Sequence, residues 1–330
     1  MKENDLEEKV RLKNYFVDVP VLLIFFNRPE KFAKVFAQVK KARPSKLYLY
    51  QDGARGERDT KLIEACRKIV DDIDWKCEVY KYFQDKNMGC DPSIYIAIKW
   101  MFEKENKGII LEDDAVPEVS FFEFCRELLE KYMEDERIGM ICGSNPLYAY
   151  TEQMEEDYIF TNTGAIWGWA TWKRVTDAWD RTYSYVHNKK IKRLLSLNTQ
   201  FKKNCEAFLK NSQWHAESGK EYFESIHGAE MRLNYHLAIV PKHNLITNIG
   251  VGGESTHSVS NIKLLPKGIL AVFNVPTSSM DFPLTHPRYK LPDKIYERKI
   301  NRLIGYALHI RAWRKCSILF RKALYGRKSK

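Results

Sequence analysis

Three observations predict an α/β chain built on a doubly wound, mainly parallel sheet flanked by helices. Short apolar runs alternate with amphipathic stretches at a spacing of roughly 25–30 residues, the rhythm of strand–helix units. The runs are continuous rather than alternating, as expected of strands covered on both faces. Each run ends abruptly in polar or charged residues, and ligands of parallel sheets sit at those carboxyl ends.

The elements follow in order. VPVLLIFF (19–26) is the first strand, and Pro29 opens a helix at its first turn, where a missing N–H costs nothing. Phe32, Val35, Phe36 and Val39 give that helix its apolar face. KLYLYQD (46–52) is a second strand, followed by a helix near 58–72, and CEVYKYF (77–83) is a third. A helix over 92–105 carries Ile94, Ile98, Met101 and Phe102, and GIILE (108–112) is the fourth strand. FFEFCRELLEKY (121–132) reads as a helix and RIGMICG (137–143) as a fifth strand. Beyond 150 the alternation fails. FTNTGAIWGWATWKRVTDAWD (160–180) is dense in Trp, 186–222 is basic and helical, and LAIVPKHNLITNIGVGGESTHS (237–258) reads as strand, turn, strand and Gly-rich loop. The expected organisation is a charged segment over 1–17, a strand–helix half over 18–150, a second half over 151–260, and a basic extension over 261–330.

The 330 residues, 44% hydrophobic, suffice for a full core. The net charge of +11 suits a protein that meets an anionic partner: nucleic acid, an acidic membrane surface or a phosphorylated substrate. Seven scattered cysteines without a C-x-x-C pair argue against a disulfide framework and a structural zinc site. MKENDLEEKV lacks the apolar core of a secretory signal, and no run reaches the ~18 apolar residues of a membrane span, so a cytoplasmic location is expected.

The acidic triplet Glu112-Asp113-Asp114 closes the fourth strand. Carboxylates at that edge are well placed to hold a divalent cation, with water and substrate phosphates completing its shell. Asn27-Arg28-Pro29, Gln51-Asp52-Gly53 and Asp85 to Gly89 end the other strands in the same way, and four such ends in register suggest one cleft. Gly89 just before a helix suits either a tight turn or a close backbone approach to a nucleotide.

VPVLLIFFNRPE, YQDG, DKNMGC, GIILEDD and FFEFC, in that order, resemble the nucleotide-sugar-binding half of GT-A glycosyltransferases. More narrowly, they resemble N-acetylglucosaminyltransferase I and its bacterial relatives, where E-D-D replaces the commoner D-x-D. GAIWGW and NIGVGGESTHS extend the resemblance over about 18–258. It implies a GT-A type fold and an inverting, metal-dependent transfer from a UDP-sugar to a glycan or lipid-linked glycan. Asp114 would contact Mn²⁺ or Mg²⁺, Asp113 the ribose, Glu112 the transferred sugar and Asp52 the uracil ring. Arg28, beside Asn27, would pair with the diphosphate, a task suited to a planar guanidinium. Asn87 and Gly89 would lie along the nucleotide. Trp167, Trp169 and Trp172 would form a wall for sugar rings, although such residues also serve as core. Gly250, Gly252 and Gly253 would form a lid, from which His257 would either reach the diphosphate or cap its own loop. An inverting transferase needs a carboxylate to deprotonate the acceptor hydroxyl. Counting back from Pro241, Glu224 stands where relatives carry their aspartate, with His227 at a Trp position and Glu230 as the neighbouring alternative.

The tail over 294–330 mixes cations with Trp313 and Phe320. It suits either a helix docked on the core or an anchor drawn to anionic lipid. Two other enzyme classes share this sheet. A sugar-phosphate nucleotidyltransferase needs a Gly-rich loop after the first strand, and a dehydrogenase needs G-x-G-x-x-G, but FFNRPEK has no glycine. A nucleic-acid-binding protein would account for the tail alone, so no nucleic acid is expected.

Overall fold

The structure, a computed structural model, describes residues 14, 16–150, 155–251 and 270–304. Its centre is an eight-stranded sheet assembled from β1 (Val17–Phe25), β2 (Pro44–Gln51), β3 (Glu78–Phe83), β4 (Lys107–Glu112), β6 (Ile138–Cys142), β7 (Tyr158–Thr161), β8 (Trp169–Trp172) and β9 (Leu237–Pro241). A small separate ladder joins β5 (Ala115–Pro117) to β10 (Ile246–Asn248). The large sheet runs in the order β3-β2-β1-β4-β8-β6-β9-β7. Its first four strands are parallel, as is the β6–β9 pair, while β8 and β7 run antiparallel to their neighbours. The chain is thus an α/β protein with a mostly parallel sheet flanked by helices.

Strand β1 shows why the apolar runs are continuous. Val21, Leu23 and Phe25 pack on one side against Phe32, Val35, Phe36 and Val39 of α1 (Pro29–Ala42). Leu22 and Ile24 pack on the other against Ile94, Ile98 and Met101 of α3 (Cys90–Phe102). Period-two alternation sends successive side chains to opposite faces, so a strand with two covered faces has no position for a polar residue. Helices α2 (Glu57–Val70) and α4 (Ser120–Lys131) join α1 on the first side, through Cys66 and Phe121. On the second side lies α8 (Phe223–Leu233), which follows α5 (Lys173–Asp177), α6 (Lys189–Leu197) and α7 (Lys202–Ser218).

The structure departs from expectation at the Trp-dense segment. Trp169–Trp172 forms β8, inserted between β4 and β6. Ala170 opposes both Ile109 and Ile141. Trp169 is 1% exposed, and Trp172 is buried with its indole N–H donated to the Leu129 carbonyl at 3.1 Å. The expectation that Trp169 and Trp172 wall a sugar site is therefore corrected, because their rings are spent on the core.

Helix α9 (Lys294–Ile304) opens the basic tail. It is docked: Tyr296 and Glu297 are buried, Tyr296 donates to Asn145 Oδ1 at 3.2 Å, and Glu297 Oε1 accepts from the Asn162 backbone at 2.8 Å. The rest of the proposed membrane anchor, 305–330, lies outside the described residues. Among those described, no helix is long and apolar enough to cross a membrane. Cys66, Cys77, Cys90, Cys125, Cys142 and Cys205 are all free thiols.

Candidate active site

Register builds the site. Ile24 lies opposite both Tyr50 and Glu112, so the carboxyl ends of β1, β2 and β4 finish level. Their continuations, Asn27-Arg28, Asp52 and Glu112-Asp113, meet around a cavity of about 420 Å³ that also touches Asn87, Gly89, Arg55 and Arg58. A pocket at the carboxyl edge of parallel strands is where this architecture binds ligands.

Arg28 and the triplet form the electrostatic centre. Asp113 is 2% exposed and accepts from Arg28 Nε at 3.2 Å, from Arg28 Nη2, and from the Phe26 backbone N–H at 3.3 Å. Arg28 Nη1 donates to Asp114 Oδ2 at 2.8 Å. Burial alone would lower the Arg28 pKa, but the charges and hydrogen bonds of Asp113 and Asp114 outweigh it and hold it above its ordinary value. Burial lifts Asp113 to about 6, with Arg28 opposing the rise. Burial, then the charges of Asp114 and Asp113, push Glu112 well above the usual carboxylate range. The repulsion evident in three consecutive acids is thus relieved twice: one guanidinium bonds to two of them, and the third favours its protonated form.

The β5–β10 ladder sets the far wall. Asn248 opposes Ala115, and the Ile249 N–H donates to the Asp114 carbonyl at 2.9 Å. Gly250 then passes so close that a Cβ on it would lie 2.5 Å from Asp114 Oδ2. Its carbonyl accepts from Lys31 Nζ at 3.2 Å. Burial and the Arg28 charge lower the Lys31 pKa.

Asp52 serves a role different from the one expected. Its Oδ1 accepts from the Gly53 and Met88 backbones at 2.9 and 2.8 Å, and its Oδ2 from Asn87 Nδ2 and the Gly89 backbone at 2.9 and 3.0 Å. A carboxylate has about four acceptor positions, and all are taken. The expected bond from uracil to Asp52 is therefore corrected: the residue clips the 87–89 turn against β2. Asn87, which also donates to the Gly53 carbonyl at 2.9 Å, belongs to the same clip. Gly89 has φ 89°, and a Cβ there would meet nothing nearer than Pro92 Cδ at 4.0 Å. The backbone turn therefore explains this glycine.

Four pocket residues escaped sequence reasoning: Phe26, Arg55, Arg58 and Asp59. Asp59 accepts from Asn27 Nδ2 at 2.7 Å and from Arg55 Nε and Nη2 at 2.7 and 2.9 Å, which hold its carboxyl down at about 2. The Arg55 guanidinium stands 5.0 Å over the Phe26 ring. The run GARGERD carried the signal, as four charged side chains packed between a strand end and the first turn of α2.

A second cavity of about 380 Å³ is lined by Trp167, Asn162, Glu224, His227 and Arg232 among others. Trp167 packs on Phe273 with ring centroids 4.8 Å apart and is the one expected tryptophan to reach it. Glu224 is exposed at its rim, and its charge is the last of several contributions to the raised pKa of Glu112. His227 is 3% exposed, its ring tilted against Trp169 at 4.7 Å between centroids, and has no hydrogen-bond partner on either ring nitrogen among the described residues. Burial, then the Arg232 and His236 charges, press its pKa down to about 3.

Glu230 touches neither cavity. Six residues beyond Glu224 on one helix, it points to another face and is buried, with Oε1 2.9 Å from His236 Nδ1 and accepting from Asn234 at 3.3 Å. Its candidacy as the base is corrected on that ground. Gly252, Gly253 and His257 lie outside the described residues.

The donor set bears on the metal expectation. Among the described residues, no group of three or more His, Cys, Asp or Glu side chains is arranged to hold a metal ion. Asp113 and Asp114 alone would suit a cation that takes most of its shell from phosphates and water. One of the two Asp114 oxygens, Oδ2, is bonded to Arg28.

No known protein family matches the chain, and no curated protein is similar to it. Among solved structures, the inositol-1-phosphate CTP transferase from T. maritima is 11% identical, with 49% of this chain and 73% of that one covered and a TM-score of 0.29. The glycosyltransferase GlyE of Streptococcus pneumoniae TIGR4 is 7% identical, with 60% and 43% covered and a TM-score of 0.28. Likenesses this slight leave the reading of the site to its own geometry.

Proposed function

We propose that the protein is an inverting glycosyltransferase of GT-A type that takes its sugar from a nucleoside diphosphate donor, UDP by the resemblance of its motifs. One observation carries the reading. An arginine-lined cavity at the carboxyl ends of β1, β2 and β4 holds Glu112, whose raised pKa feels the charge of Glu224, a carboxylate lining a second cavity.

The division of labour follows. Arg55 and Arg58 draw the anionic donor in, and the Phe26 ring supports its base. Arg28 and Lys31 lie where the diphosphate ends. The acceptor hydroxyl enters from the second cavity, past Trp167. Glu224 takes its proton as the oxygen bonds to the anomeric carbon, and the bond from that carbon to the diphosphate oxygen breaks. The electron pair leaves on the diphosphate, where the cations of the site stabilise it. A divalent cation held by Asp114 would add Lewis-acid stabilisation of that leaving group. The acceptor is a glycan or lipid-linked glycan, and the basic tail suits an approach to an anionic membrane surface.

Calorimetry with UDP, with and without Mn²⁺, joined to a hydrolysis screen of UDP-sugars, tests the reading. Micromolar UDP binding and slow release of UDP from one donor sugar are expected. Absence of UDP binding under both conditions would overturn it, and pyrophosphate-dependent exchange of a nucleotide into a sugar phosphate would point to a nucleotidyltransferase.

A further inference from the structure

The triplet already holds a cation, and that cation belongs to the chain. Arg28 spends three of its five N–H donors on Asp113 and Asp114, through Nε, Nη2 and Nη1. Asp114 Oδ2, which accepts Nη1 at 2.8 Å, is hemmed on its other side by Gly250. Lys31, in the first turn of the helix that Arg28 precedes, ties down the Gly250 carbonyl. A divalent ion ligated by either Asp114 oxygen, roughly 2.1 Å away, would stand a few ångströms from the guanidinium that Oδ2 holds. A guanidinium and a divalent ion therefore compete for this carboxylate, since like charges so close repel strongly in a partly buried site.

We propose that Arg28 is the resident counter-cation of Asp113 and Asp114, and that it exchanges with a divalent metal only when a nucleoside diphosphate arrives to accept the displaced guanidinium. This rests on the diphosphate reading of the first cavity. The exchange leaves each charge a partner: Arg28 turns to the phosphates, the metal would bridge Asp114 to the same phosphates, and Asp113 keeps the Phe26 N–H. Without the diphosphate, metal entry would strand the guanidinium in a half-buried site with no anion, so the metal alone binds poorly. After transfer, departure of the nucleotide returns Arg28 to Asp114 and expels the metal. The metal is then a companion of the donor, not a permanent tenant.

The test uses the full chain and Mn²⁺, with free Mn²⁺ read by electron paramagnetic resonance in the absence of any donor sugar. Wild type is expected to bind Mn²⁺ weakly alone. Arg28→Met, which keeps the length and removes the charge, is expected to bind Mn²⁺ alone at least tenfold more tightly, and Arg28→Met/Asp114→Asn to lose that gain. Unchanged or weaker affinity in folded Arg28→Met would overturn the proposal, as would tight Mn²⁺ binding by wild type alone.

Because removing Arg28 leaves two carboxylates unpaired and endangers folding, a second measurement uses wild type only. The Arg28 Nε–H resonance, assigned by its absence in Arg28→Lys, is expected to stay in place with millimolar Mg²⁺ and to move when UDP is added with Mg²⁺. Movement with Mg²⁺ alone, or none with bound UDP and Mg²⁺, would refute the exchange while leaving the transferase reading intact. No UDP binding at all would remove both.

Discussion

The buried histidine of the second cavity makes a prediction whose size follows from its surroundings. His227 is held at about 3 in the folded protein, against an ordinary value of 6.5 once unfolded. The folded pKa is depressed, so between those values the unfolded chain binds a proton that the folded chain does not. Stability is therefore fully present above about pH 6.5 and is lost as pH falls toward 3. Integrated from pH 7 down to pH 5, one such proton costs about 2 kcal/mol. That figure hardly depends on the folded value, because pH 5 already lies well above it. Asp113 and Glu112, raised by burial, act with the opposite sign, but they are common to wild type and variant and cancel in the difference. The experiment is urea unfolding of wild type and His227→Leu at pH 7 and pH 5. Wild type is expected to lose about 2 kcal/mol more than the variant between the two conditions, whatever the absolute stability of the variant. Equal losses in the two proteins would show that His227 is protonated in the folded state, and the dry, neutral wall of the second cavity would go with it.

Other outcomes follow from the same geometry. Glu224→Gln should lower transfer at least roughly 100-fold, the lower end of the range for one general base, with UDP affinity retained. Glu230→Gln should instead move the unfolding midpoint and leave the rate per folded molecule nearly unchanged, as measured by turnover corrected for folded fraction. Gly250→Ala places a methyl 2.5 Å from Asp114 Oδ2. It should weaken UDP binding in the presence of Mn²⁺ by tenfold or more in calorimetry. Gly53→Ala drives a Cβ to 2.4 Å from the Lys86 backbone, so the Asp52 clip must open, and a thermal melt should show a loss of several degrees with little change in the far-ultraviolet spectrum.

What could be read from the chain, and what could not, divides along physical lines. Strands β1, β2 and β4 announce themselves because a strand covered on both faces is apolar along its buried run, and α1 because Phe32, Val35, Phe36 and Val39 repeat at helical spacing. The four-residue β8 is too short to show a period, and its tryptophans read equally as ligand wall or core. Arg28 was legible as a site residue, since a guanidinium beside a strand end implies an anion. That its present anions are Asp113 and Asp114 was not, because those contacts span 85 and 86 positions. Asp52 misled for a related reason. An acid at a strand end looks available for a ligand until the backbone N–H groups of Met88 and Gly89 fold over it.

The order of the strands also bears on synthesis. β4 is paired on one side with β1 soon after it leaves the ribosome, but its other partner, β8, begins at Trp169. At about 5–20 residues per second, the apolar edge GIIL waits on the order of 3–12 s for the chain that covers it. During that interval it is an open edge able to pair with a neighbouring nascent chain. Conditions that slow translation between 112 and 172 should therefore depress the soluble yield more than the same delay placed after β8.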